Sequence, residues 1–179
     1  MKTLSLLLFS LISFAAIAQT TSFGNFKIVE QEIIYQKVFT QDSITAAGLE
    51  KYYKTLPYVS NLELNADGVQ FDATDITVDY KKFQISQMNT PPIMQTGKFT
   101  GKVFIGVKDG KYRVTMKAIL MTGDIVYKKI TEKDKLTTYA TRNSATILAA
   151  DWCRPNMLGL LDQAFTDKLQ FKKGDQGDW

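Results

Sequence analysis

The sequence predicts an α+β fold: a single antiparallel sheet with helices packed on one face, in the order β-α-β-β-β-β-(β)-α. Three observations predict it. GKVFIGVKDGKYRVTMKAIL, residues 101–120, alternates apolar and polar side chains on both sides of an Asp-Gly pair, the pattern of a β-hairpin. MLGLLDQAFTDKLQF sets Leu158, Leu161, Phe165 and Leu169 on one helical stripe. KIVEQEIIYQKVF followed by QDSITAAGLEKYYKTLP reads as a strand and then a helix. Strands grouped between an early and a late helix are most economically packed as one layer of each.

The chain opens with MKTLSLLLFSLISFAAIAQ. Lys2 precedes an apolar run from Leu4 to Ala15, and Ala16-Ile17-Ala18 supplies small side chains for a peptidase, the order of a secretory signal peptide over residues 1–18. The run is too short to span a bilayer, no later stretch is long and apolar enough to do so, and no cysteine follows the cleavage point to carry a lipid. The exported chain is expected to begin at Gln19 and to work in the periplasm or outside the cell. Residues 19–26 are expected as a flexible leader, 27–171 as one α+β domain and 172–179 as a frayed tail.

Lys27 to Phe39 reads as one long strand whose apolar residues fall on both parities, as in an inner strand partly covered on both faces. Asp42 or Ser43 stands where a helix N-cap belongs, Ile44, Ala47, Tyr52 and Leu56 recur near helical spacing, and Pro57 marks the end. Gly48 inside this helix suggests close packing on the sheet. Tyr52 and Tyr53 read as an amphipathic rim. Asn61–Ala66 and Val69–Tyr80 form a strand pair around Asp67-Gly68, with a loop of two or four residues. Past Thr74 the apolar parity flips to Ile76, Val78 and Tyr80, so one extra residue must be accommodated there as a bulge or a bend. Lys81 to Thr96 reads as a connecting loop.

Register in the central hairpin follows from its turn. With Asp109-Gly110 as a two-residue turn, Lys108 faces Lys111, Val107 faces Tyr112, Ile105 faces Val114 and Val103 faces Met116. A three-residue loop would send one strand's apolar side to water. Arg113, Thr115 and Lys117 then face solvent on the other side. Ile125–Ile130 and Leu136–Tyr139 flank TEKDK as a further hairpin, and NSATILAADWCRPN is a short helix or a loop. The last helix begins at Pro155 or Asn156.

Composition excludes more than it offers. The chain has no histidine, so Ser-His and Cys-His nucleophilic machinery is impossible within it and the commonest zinc ligand is missing. A single cysteine, Cys153, allows no intramolecular disulfide; it reads as a small buried apolar residue, with intermolecular pairing as the alternative. The net charge of +4 is spread along the chain, without the concentrated basic face of a nucleic-acid binder. No cofactor motif is present, and none is expected.

These features suggest a non-catalytic binding domain using the open sheet face or its loops, with an envelope protein or a ligand as partner. The loop QMNTPPIMQTG, with Met88, Pro91, Pro92, Ile93 and Met94, is the candidate contact surface. The alternative is a carboxylate-based hydrolase or metal-binding protein using Asp72, Asp75, Asp79 and Glu50, because paired carboxylates can divide acid and base roles. Solvated strand-edge charge is the plainer explanation of those acids. Asp151-Trp152-Cys153-Arg154 is the other compact reactive group, in which Arg154 could favour a thiolate but no base stands nearby to support redox chemistry. Self-association through a strand edge or the sheet face is a third reading.

The EIIYQKVFTQDSITAAGLEKYY opening, the FTGKVFIGVKDGKYRVTMKAI hairpin and the LLDQAFTDKLQF helix before an acidic tail ending in Trp179 together resemble a secreted bacterial domain-of-unknown-function family described as having a TATA-binding-protein-like (TBP-like) fold. The resemblance covers about Ile28 to Trp179 and is least marked from Gly123 to Asn156. It implies the fold. It implies no activity, cofactor or catalytic residue, and a fold name alone does not bring DNA binding with it.

Overall fold

A computed structural model of the chain describes residues 20–125 and 128–172. The expected signal peptide 1–18, Gln19, Val126, Tyr127 and residues 173–179 of the expected tail lie outside the described residues.

The segment expected as a flexible leader already belongs to the sheet. β1 (Ser22–Phe23) pairs antiparallel with β2 (Phe26–Val29), and Phe26 is completely buried. Its turn is tied down from the far end of the chain: the Asn25 backbone N–H and its Nδ2 donate to the Asp162 carboxylate at 3.0 and 2.7 Å. The single long strand expected over Lys27–Phe39 is instead a hairpin. β2 turns at Glu30-Gln31 into β3 (Glu32–Thr40), pairing Phe26 with Tyr35 and Val29 with Glu32. Both turn residues take positive φ, 51° and 61°. The turn resets the alternation, and that is why apolar residues occupy both parities.

Helix α1 (Ala46–Tyr53) starts two or three residues later than the sequence suggests, with Thr45 rather than Asp42 or Ser43 as its cap: Oγ1 accepts from the Gly48 N–H at 3.0 Å. Leu49 and Tyr53 form its buried stripe, while Ala47 is exposed. A side chain at Gly48 would meet only the Thr45 hydroxyl, so packing against the sheet does not explain that glycine. β4 (Val59–Asn65) and β5 (Gly68–Ile76) are joined by two residues, with Leu64 opposite Val69. The predicted extra residue is present. Pairing of β5 with its neighbour shifts between Ala73 and Ile76, and Asp75 inside the bulge has φ 52°. β5 ends there, short of the expected Tyr80.

The connecting segment contains a 3₁₀ turn at Gln87–Asn89 and the short helix α2 (Pro92–Thr96). β6 (Lys98–Lys108) and β7 (Lys111–Ile125) then form the central hairpin with the predicted register, from Lys108 opposite Lys111 to Val103 opposite Met116. Asp109 and Gly110 have φ 49° and 70°, the double positive that a two-residue turn requires. A bulge at Ala118, φ 49°, bends β7, and its backbone N–H is taken up by the Glu32 carboxylate at 2.8 Å.

Beyond Ala118 the expected hairpin around TEKDK is not found. β8 (Lys128–Lys135) pairs with β7, Ile125 opposite Lys128, so Thr131–Lys135 lies inside a strand. The expected strand Leu136–Tyr139 is the helix α3 (Leu136–Ala140). Residues 141–154 resolve as β9 (Thr141–Arg142), β10 (Ile147–Leu148) and turns. A single π turn at Pro155–Gly159 leads into α4 (Leu160–Leu169), where the expected start falls.

The main sheet has the order β1-β2-β3-β7-β6-β5-β4, with β8 on the outer half of β7 beyond β3. α1 and α4 cover one face, the fold class that the sequence predicts. Phe165 sits among Phe26, Tyr35 and Phe99 at ring distances of 5.8, 5.4 and 6.2 Å, and Tyr53 meets Phe71 at 4.9 Å. Contacts of this kind favour edge-to-face and tilted rings, as seen here.

The tyrosines do more than rim a helix. The last carbonyls of an α-helix have no partner inside it. At α4 the Tyr58 hydroxyl donates to the Lys168 carbonyl at 2.5 Å, Tyr53 to Leu169 at 2.5 Å and Tyr52 to Gln170 at 3.3 Å. The Phe171 N–H donates in turn to the Tyr112 hydroxyl at 2.8 Å. Burial pushes the phenols of Tyr53 and Tyr58 above the ordinary range, so both remain protonated donors.

Candidate functional site

The face opposite the helices is uncovered among the described residues. Pairing fixes what it displays. Across the middle run Gln36, Thr115, Phe104, Gln70 and Glu63, each opposite the next on neighbouring strands. One step along the strands lies a row of Lys27, Ile34, Lys117, Lys102 and Asp72. One step the other way, Val38 faces Arg113 and Arg113 faces Gly106.

Phe104 stands at the centre, 40% exposed, and Val38 is 57% exposed. The polar floor between them is organised. Lys27 Nζ donates to Gln36 Oε1 at 2.6 Å, and Gln36 Nε2 donates to Thr115 Oγ1 at 3.0 Å, a chain across β2, β3 and β7. Thr115, expected at the solvent-facing side, is 8% exposed, held between this chain and the Phe104 position. Arg113 and Lys117 are exposed as expected. Lys27, Val29, Ile34, Gln36, Phe104 and Arg113 contribute to a shallow depression of about 460 Å³.

Charge on this face is unevenly matched. Lys102 Nζ lies 3.2 Å from Asp72, whose carboxyl is held below the usual range by the Asn61 hydrogen bond (2.8 Å) and then by Lys102. Glu63 accepts from Gln70 Nε2. Glu32 is engaged by the Ala118 N–H. The ion pairs among the described residues include neither Arg113 nor Lys117. Lys117 also sits directly opposite Lys102, and like charges placed so oppose pairing.

The other candidate residues do not assemble a site. In the loop, Met88 is 97% exposed, Pro92 exposed and Pro91 half-buried, but Ile93 and Met94 are 1% exposed and belong to the core. Those two are therefore removed from the expected contact surface: α2 turns them onto the sheet. Asp72 lies on the open face. Asp75 sits in the β5 bulge, 3.4 Å from Lys98, and Asp79 accepts from the Lys82 N–H at 3.1 Å. Glu50 is on α1. Among the described residues no three carboxylate or thiol side chains converge on a common point. Cys153 is half-buried against the core, and its thiol is pushed up by burial and by Asp151, away from the thiolate form.

A second depression, about 730 Å³, is lined by Glu30, Glu32, Lys135 and Arg142 with the 143–145 turn. Its arginine is already engaged: Arg142 donates to the carbonyls of Tyr139 and Thr141 at 2.9 and 2.8 Å and reaches Asp151 at 3.3 Å. The open sheet face combines an exposed aromatic, Phe104, with cations outside the ion pairs of the described residues. Phe104 went unread in the sequence although its signal was there, a large aromatic on the polar parity of the hairpin between Lys102 and Gly106.

No protein-family model matches the chain, and no curated protein matches it. Two solved structures are similar to it. One is a DUF4468 family protein from Bacteroides ovatus, 16% identical with a TM-score of 0.47, aligned over 87% of this chain and 95% of that one. The other is a TBP-like protein from Parabacteroides distasonis, 11% identical with a TM-score of 0.45, aligned over 79% of this chain and 89% of that one. Neither description states an activity.

Proposed function

We propose that the protein is an exported, non-catalytic binding module whose contact surface is the open sheet face around Phe104. The order of charge, apolar run and small residues over 1–18 supports export. The absence of histidine from the sequence and the scattering of Asp72, Asp75, Asp79 and Glu50 support a role without catalysis.

The observation that carries the proposal is the setting of Phe104: a half-exposed aromatic on an uncovered sheet, flanked by Arg113 and Lys117 outside the ion-pair network. Aromatic and arginine side chains dominate binding energy at protein contact surfaces. The experiment is photo-crosslinking in living cells, with a photoreactive side chain placed at Phe104 and, separately, at Met88 and at Glu132 on β8. Adducts are expected at Phe104 alone. Adducts confined to Met88, or equal at all three positions, would remove the sheet face from consideration.

A further inference from the structure

We infer that the occupant of this face is an acidic polypeptide in extended conformation, with carboxylates four residues apart on either side of an apolar residue. The inference rests on the binding-surface reading above and names the chemistry of its partner.

Arg113, Thr115 and Lys117 alternate on one side of β7, so the two cations stand about 13 Å apart along the strand. Between them lies Thr115 with Phe104 directly opposite. An extended peptide repeats its side chains at the same spacing. Residue i then meets Arg113, residue i+2 meets Phe104, and residue i+4 meets Lys117. Lys27, two strands from Lys117 in the same row, adds a third cation on the side away from Asp72 and Glu63. Val38, which is 57% exposed, and half-buried Val29 extend the apolar strip toward β2, while Ile34 in the same strand is buried. Arginine is suited to the outer position because its planar fork takes a carboxylate through two hydrogen bonds.

Two other occupants fit less well. A second copy laid face to face by a two-fold axis along the strands between β6 and β7 sets Lys117 against Lys102, and an axis across them through Thr115 sets Lys117 against Arg113. Both pairings repel. A nucleic-acid backbone carries charge continuously, whereas this face interrupts its cations with Phe104 and Ile34 and turns acidic at Asp72 and Glu63.

The test is fluorescence anisotropy with the purified protein and a fluorescein-labelled peptide of about twelve residues containing glutamate-threonine-leucine-threonine-glutamate in strand-forming flanks. The expected result is saturable binding that weakens as salt rises toward physiological strength. Arg113→Glu and Lys117→Glu should each weaken it at least ~10-fold, as should Phe104→Ser. A peptide with glutamine for both glutamates should bind at least ~10-fold more weakly. These side chains are exposed or half-exposed, so unchanged melting temperatures certify that the variants are folded.

Equal binding of the glutamine peptide, indifference to both charge reversals, or no anisotropy change at about 1 mM protein would overturn the inference. So would displacement of the peptide by oligothymidylate or by vesicles of anionic lipid at lower charge concentration than by unlabelled peptide. If Phe104 still crosslinks in cells when the peptide fails, the surface stands and its ligand has other chemistry; if both fail, the binding-surface reading falls with it.

Discussion

Two hairpins in this sheet turn in two residues with both φ angles positive, at Asp109-Gly110 (49° and 70°) and at Glu30-Gln31 (51° and 61°). The geometry is the same because the right-handed twist of the strands selects it. The chemistry differs. Asp-Gly adopts the left-handed region at small cost, so the β6–β7 turn favours its own formation. Glu and Gln carry Cβ atoms that disfavour the region by roughly 1–2 kcal/mol per residue. The β2–β3 turn is therefore held from outside, by Phe26 and Tyr35 packed under α4, by buried Ile33 and by the clamp of Asp162 on Asn25. Turn preference writes one hairpin and burial imposes the other.

The largest effect that would break this comparison lies in that packing. Phe26→Ala removes a fully buried ring that touches Tyr35 at 5.5 Å and Phe165 at 5.8 Å. Equilibrium urea unfolding should show a loss of about 3–5 kcal/mol, the usual cost of such a truncation. A loss below about 1 kcal/mol would mean that β1 and β2 contribute little to the core, and that the Glu30-Gln31 turn needs some other support.

A smaller effect is expected at the well-formed turn. Gly110→Val places a β-branched side chain at φ 70°, which should cost about 1–2 kcal/mol in the same assay. The expected order, Phe26→Ala above Gly110→Val, expresses the difference between packing-imposed and turn-favoured hairpins. Reversal of that order would contradict it.

The same difference explains what could be read from the sequence. The β6–β7 register was legible because local turn chemistry and period-two alternation agree, and the β5 bulge because a parity flip survives inside one strand. The α4 stripe was legible from Leu158 to Leu169 for the same reason. Glu30-Gln31 was not, because nothing local marks it and the register belongs to contacts with residues more than a hundred positions away, such as Asp162. The reversal at Lys128 and the helix at Leu136 were hidden in a similar way: charged Thr131–Lys135 resembles a turn, yet β7 takes it as an outer strand. Of the candidate surface, Arg113 and Lys117 were legible as one side of a strand. Their lack of carboxylate partners among the described residues depends on strand order, and so does the meeting of Lys117 with Lys102.

The finest discrimination comes from repairing the disfavoured turn. Gln31→Gly removes the Cβ at φ 61°, and Gln31 is exposed, so little packing is lost with it. Relief of about 1–2 kcal/mol in the folded state is offset by the larger entropy that glycine gives the unfolded chain, about 0.4–1 kcal/mol. The net expectation is a gain of about 0.5–1 kcal/mol, or roughly 1–4 °C in melting temperature for a domain of this size. A polar, nonglycine turn that gains from glycine is one that its own residues oppose. If Gln31→Gly were neutral or destabilising, Gln31 would be making a contribution beyond the backbone. The first hairpin would then be locally encoded after all, by side-chain chemistry rather than by the packing of Phe26.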